Sequence, residues 1–167
     1  MSGFVSSPVE PLTPEEATFV VDGWFPDINL SELRDKVRIG EGAVSHERLV
    51  AAVEGAVLTA LRNLKKWRAA MATAGIASLA DIPGDNIGGK KIQLVIWDRI
   101  VRFYAAAELA DGYRDLSATD QGDTSADEEN ITADDYRRMG HNAVNDMLNI
   151  SLDADAPEVA RNRVELI

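Results

Sequence analysis

Between Ser45 and Gly75 the chain carries one uninterrupted apolar stripe: Leu49, Val53, Val57, Ala60, Leu64, Trp67 and Met71, at steps of three and four residues. A helix turns about 100° per residue, so only that geometry lines these side chains up on one face. The spacing therefore predicts a long amphipathic helix, which has to bury its stripe against other elements. Ser45 supplies a side-chain oxygen to cap its first N–H groups, and Gly75 supplies a backbone free to turn left-handed at its end. Arg62, Lys65, Lys66 and Arg68 crowd its second half, the end where the helix dipole favours positive charge.

The remaining elements are read around that helix. A short helix is expected at about Leu30 to Val37, capped by Asn29 or Asp27. Ser78 to Pro83 suggests a single helical turn stopped by proline, and Gly84 to Gly89 a loop. A third helix is expected from about Lys90 to Tyr113. One stripe on it holds Ile92, Ile96, Ile100, Phe103, Ala107 and Ala110; a second holds Leu94, Trp97, Val101 and Tyr104. A helix apolar over so wide an arc packs on two sides, one of them the core. The second side is read as another helix of the chain or a lateral interface with a neighbouring subunit. Thr132 with Asp135 approximates a capping box and opens a fourth helix with the stripe Tyr136, Met139, Ala143 and Met147.

Outside the helices, Ser6, Ser7, Pro8, Pro11 and Pro14 break any regular structure, so residues 1–23 read as an extended arm. Phe19-Val20-Val21 has the composition of a short strand. Trp24-Phe25-Pro26-Asp27-Ile28 forms an apolar clasp. Its aromatics, like Trp67 and Trp97, read most simply as core, but Trp24 and Phe25 at the junction with the arm also suit an anchor for a partner. Residues 117–131 hold Asp120, Asp123, Asp127, Glu128 and Glu129 without one basic residue, and read as a solvated acidic loop. After Ile150 aspartate and proline return, and Arg163 to Ile167 reads as a short strand or docking tail. The expected fold class is all-α: a small four-helix bundle over 24–149, with the extended arm before it and an extended C-terminal tail over 150–167.

Composition excludes several functions. With 28 acidic against 17 basic residues the net charge is -11, the wrong sign for a chain that tracks phosphates or an anionic membrane. There is no cysteine, hence no disulfide framework and no thiolate metal site. Residues 1–12 carry no basic residue and no apolar run, unlike a signal peptide, and charge interrupts every apolar stretch, so the chain reads as cytoplasmic.

Three constellations invite a chemical reading. Gly84-Asp85-Asn86-Ile87-Gly88-Gly89-Lys90-Lys91 fits the spacing of a phosphate-cradling loop. Position 91 is lysine, so the hydroxyl that would hold magnesium is missing. Asp81-Ile82-Pro83 before it cannot be the buried strand that aims such a loop. The plainer reading is a flexible turn with Lys90 and Lys91 solvated. His46 and His141 lie far apart with no nucleophile or third group at a telling spacing, so two solvated or capping histidines are expected. The acidic residues of 117–131 miss the alternate-residue ligand spacing of a calcium loop. If copies of the stretch line a channel, its charge would repel a DNA duplex. No catalytic residue, cofactor or metal site is expected.

Several segments in order carry a resemblance. They are Trp24-Phe25-Pro26-Asp27-Ile28; His46-Glu47-Arg48-Leu49 opening the helix that bears Trp67; Ala74 to Pro83; Tyr104 to Ala110 with Tyr113-Arg114-Asp115; and Gly122-Asp123. The set is similar to the phage head completion protein family of contractile-tailed phages, often called gpL, over residues 20–150. The resemblance implies a non-enzymatic virion protein at the head–tail neck, assembled in the host cytoplasm. It implies a portal-matched, dodecameric ring added below the portal after packaging, which helps retain the genome and offers the tail its docking surface. Its implied partners are the portal, other neck and tail-terminator proteins, and copies of itself, with DNA passing unread. The surfaces expected to serve are Trp24, Phe25, Pro26, Leu94, Trp97, Val101 and Tyr104, with Asp120, Asp123, Asp127, Glu128 and Glu129 facing the channel or the tail. The long arm and the residues after the fourth helix depart from the family pattern. The rival reading is a helical DNA-packaging adaptor, such as a small terminase-like DNA-binding subunit.

Overall fold

The structure, a computed structural model, describes residues 14, 16–37, 44–117 and 132–153. Along the chain run β1 (Thr18–Phe19), β2 (Ile28–Asn29), α1 (Leu30–Lys36) and α2 (His46–Thr73). A 3₁₀ turn (Leu79–Asp81), β3 (Asn86–Ile87), β4 (Lys90–Lys91), α3 (Ile92–Ser117) and α4 (Ala133–Leu148) follow. The fold is mainly α-helical. The long α2 and α3 pack together, α4 packs on α3, and the seven-residue α1 lies against α2.

The helix ends follow the sequence closely. The Asn29 side chain accepts from Glu32 N at 2.8 Å, and the Ser45 hydroxyl accepts from Arg48 N at 3.3 Å. Gly75, with φ of +88°, ends α2 in the left-handed conformation that costs glycine least. Thr132 and Asp135 complete the capping box: the Thr132 oxygen accepts from Asp135 N, and Asp135 accepts from Thr132 N. All seven residues of the α2 stripe are buried. Each large aliphatic in it contributes roughly 1.5–3 kcal/mol on leaving water.

Helix α3 is the axis of the body. Its two stripes both turn inward, and Ile96, Trp97, Ile100, Val101 and Tyr104 are all buried within the single chain. The second stripe faces α2 and the Trp24–Phe25 clasp, so the side read from sequence as another helix or a lateral interface is interior. Helix α4 buries Ala133, Gly140, Ala143, Val144 and Met147, while Tyr136 and Met139 stay half-buried. Gly140 on its inner face brings it close to α3, against the ring of Tyr104.

Two hairpins complete the body. β1 pairs antiparallel with β2 through Thr18↔Asn29 and Phe19↔Ile28, which ties part of the expected arm to the helices. β3 and β4 pair through Asn86↔Lys91 and Ile87↔Lys90.

Candidate docking surfaces

The clasp is a lock on the core. Asp22 accepts from Trp24 N at 3.1 Å and Phe25 N at 3.0 Å, turning the chain so that both aromatics point inward. Phe25 stacks on Trp97 with ring centres 4.3 Å apart, and Trp24 meets Trp67 edge-on at 5.8 Å. Every tryptophan N–H finds a carbonyl: Trp24 donates to Ile76 O at 3.2 Å, Trp67 to Ile150 O at 2.8 Å, and Trp97 to Pro26 O at 3.2 Å. Arg68 closes the outside, its guanidinium 5.5 Å from the Trp24 ring centre and paired with Asp22. Trp24 and Phe25, at 7% and 1% exposure, are therefore not a free anchor. The same holds for Trp97, Val101 and Tyr104. Of the surface expected from sequence, Pro26 is exposed and Leu94 half-exposed.

Tyr104 sits where three helices meet. Asn63 of α2 donates to its hydroxyl at 3.1 Å, and His141 Nδ1 of α4 lies 2.8 Å from the same oxygen. Its ring lies against Gly140, where a Cβ would fall 2.7 Å from a ring carbon. Burial pushes the hydroxyl above its ordinary pKa, opposed by Asn63 and the charge of Arg62. His141 thus bonds a core tyrosine from an exposed position, where the sequence suggested only solvation or capping.

The glycine-rich segment is a hairpin with no phosphate cradle. Gly88 and Gly89 both have positive φ, +59° and +77°, as a two-residue turn of the primed type requires. Lys91 is not solvated: its Nζ donates to Ala80 O at 2.7 Å and Ile82 O at 3.1 Å. Gln93, wholly buried, donates to Ile82 O at 2.7 Å. Together they tie the hairpin and the start of α3 to the 3₁₀ turn. Among the described residues no cluster of histidine and carboxylate side chains could hold a metal, and no helix is long and apolar enough to cross a membrane. The acidic set Asp120, Asp123, Asp127, Glu128 and Glu129 lies outside the described residues.

What remains outward is a second stripe on α2. Leu58, Leu61, Arg62, Lys65, Arg68, Ala69 and Ala72 line a shallow groove of about 550 Å³ on the side away from α3. Leu58 is 66% exposed. Its steps of three and four residues were as legible in the sequence as those of the core stripe; alanines and cations among them hid it.

Residues 20–153 match the phage head completion protein (GPL) family. The chain belongs to that family. As a head completion protein it is a structural phage component. It is similar to the head completion/stabilization protein of Escherichia phage P2, with 33% identity over 115 residues, 69% of this chain and 68% of the relative. No solved structure matches the chain. For a head completion protein, the polar groups that looked like chemistry are those that hold the fold, and the surfaces left open are the place to seek function.

Proposed function

We propose that this chain is a non-enzymatic virion subunit that completes the filled head. In this reading copies assemble as a ring below the portal, help retain the packaged DNA, and give the tail its docking surface. The helices serve as the small bundle-like body of each subunit, built in the host cytoplasm and carried into the neck of the particle. Membership of the head completion family over residues 20–153 is the observation that carries the reading. The conversion of the Gly84–Lys91 segment into a hairpin staple agrees with it, since a nucleotide loop needs those backbone groups free.

The test is a phage lacking this chain. Filled heads should then accumulate without tails and lose DNA, and adding the purified protein should restore tail joining. Heads that retain DNA and join tails without it would refute the reading.

A further inference from the structure

The second stripe of α2 is acidic towards its start and basic towards its end. Glu47 and Glu54 are exposed in the first half of α2; Arg62, Lys65 and Lys66 are exposed in the second. No carboxylate among the described residues forms an ion pair with Arg62, Lys65 or Lys66. In a chain of net charge -11 these three cations form one exposed patch on α2, and it borders the exposed Leu58, Ala69 and Ala72. An apolar strip edged by cations suits an acidic protein segment with apolar contacts. Duplex DNA would use the cations and leave the leucine idle.

The chain itself carries such a segment. Asp120, Asp123, Asp127, Glu128 and Glu129 stand between α3 and α4 with no lysine or arginine among them. The helices that flank that stretch meet near the acidic half of α2. A Cβ on Gly112 would lie 3.1 Å from Arg48, and Arg137 of α4 pairs with Asp111 of α3. From Arg48 to Lys65 along α2 is about 25 Å at the helical rise. Residues 118–131, leaving and returning at one end, reach about 24 Å at full extension. The basic half of the same molecule is at the limit of that reach; the basic half of a neighbour is not.

We propose that the strip of Leu58, Leu61, Arg62, Lys65, Ala69 and Ala72 receives the acidic stretch 120–129 of a second copy, so that copies join head to tail. Such a contact uses two different surfaces, and repeated with a closing rotation it makes a ring. It rests on the ring reading above and names its surface. It also gives the acidic stretch a neighbour to bind in place of a channel or a tail.

The test uses the full chain and two charge-reversed forms, Arg62→Glu/Lys65→Glu and Asp120→Lys/Asp123→Lys/Asp127→Lys, with Leu58→Ser as an uncharged change to the apolar strip. All substituted positions on α2 are solvent-facing, and circular dichroism checks that each form folds. By mass photometry and sedimentation, alone and on portal-bearing heads, the wild type should self-associate more weakly as salt rises. Each altered form alone should lose at least tenfold in affinity, and the two charge-reversed forms mixed should recover it in alternating assemblies. Wild-type-like assembly of either form, a mixture that stays dissociated, or a wild type that never self-associates on heads would overturn the proposal. So would duplex DNA binding that Arg62→Glu/Lys65→Glu abolishes while assembly is unchanged. If the altered forms assemble and complete heads normally, only the surface is wrong. If wild type fails to complete heads, the proposed function itself fails.

Discussion

Gly140→Ala should destabilise this protein, although alanine is the better helix former. A Cβ built at Gly140 lies 2.7 and 2.8 Å from two carbons of the Tyr104 ring. Carbon atoms settle at about 3.5–4.0 Å, so ring and helix have to part by about 1 Å. The ring cannot slide freely. It is 4% exposed, and its hydroxyl is held by Asn63 on one side and His141 on the other. Overpacking of this kind costs about 1–3 kcal/mol. Each hydrogen bond lost as the ring moves adds about 1 kcal/mol. Against this stands a helix-propensity gain of about 1 kcal/mol for alanine over glycine. The net expectation is a loss of about 2 kcal/mol. For a domain of this size that lowers Tm by about 4–8 °C, measurable by calorimetry. The control is Gly140→Ala in a Tyr104→Leu background. With the ring gone, the alanine should be neutral or stabilising. A single Gly140→Ala form as stable as wild type would refute the close α3–α4 packing.

Further outcomes follow from the same contacts. Because burial holds the Tyr104 hydroxyl neutral, one tyrosine should titrate above the ordinary value of 10.0 in ultraviolet absorbance, and Tyr104→Phe should remove that step. The sign follows: folding favours the neutral phenol, so stability is lost as pH rises past the unfolded-state value. Gly88→Val should cost about 1–2 kcal/mol in chemical denaturation, since a β-branched residue has to take the left-handed conformation there. Its signature is a loosened start of α3 in amide exchange. Asp135 is held below the ordinary carboxylate range by its bonds to Thr132. The capping box should therefore weaken as pH falls through that depressed value, and Thr132→Ala should flatten the pH dependence of the denaturation midpoint in acid. Asp22→Ala should lower stability by about 1–2 kcal/mol through the lost turn bonds and Arg68 contact, with increased tryptophan exposure by fluorescence quenching.

The helices were legible where local chemistry decides them. Asn29, Ser45 and the Thr132–Asp135 pair mark their starts by hydrogen bonds made within a few residues. The α2 stripe was legible because its members repeat at three and four residues along one face of a single unbroken helix. What stayed hidden is long-range. Trp97, Val101 and Tyr104 looked surplus to a core, since no sequence rule shows that residues 24 and 25 fold over them from the far side. Lys91 looked solvated, since its acceptors Ala80 and Ile82 become a pair only when the 3₁₀ turn forms. The candidate surface was missed for the opposite reason. Its leucines and alanines repeat at helical spacing, but the cations Arg62, Lys65 and Arg68 alternate with them and give the face a polar pattern.

Adjacent residues of α2 hold two segments far apart in sequence: Arg68 grips Asp22, and Trp67 grips the carbonyl of Ile150. The chain at residue 22 and the chain at residue 150 are thus fastened side by side on one stretch of α2, like the pins of a plug. A receptor that engages both pins fixes the rotation of the subunit as well as its position. A receptor that engages one leaves it free to swivel.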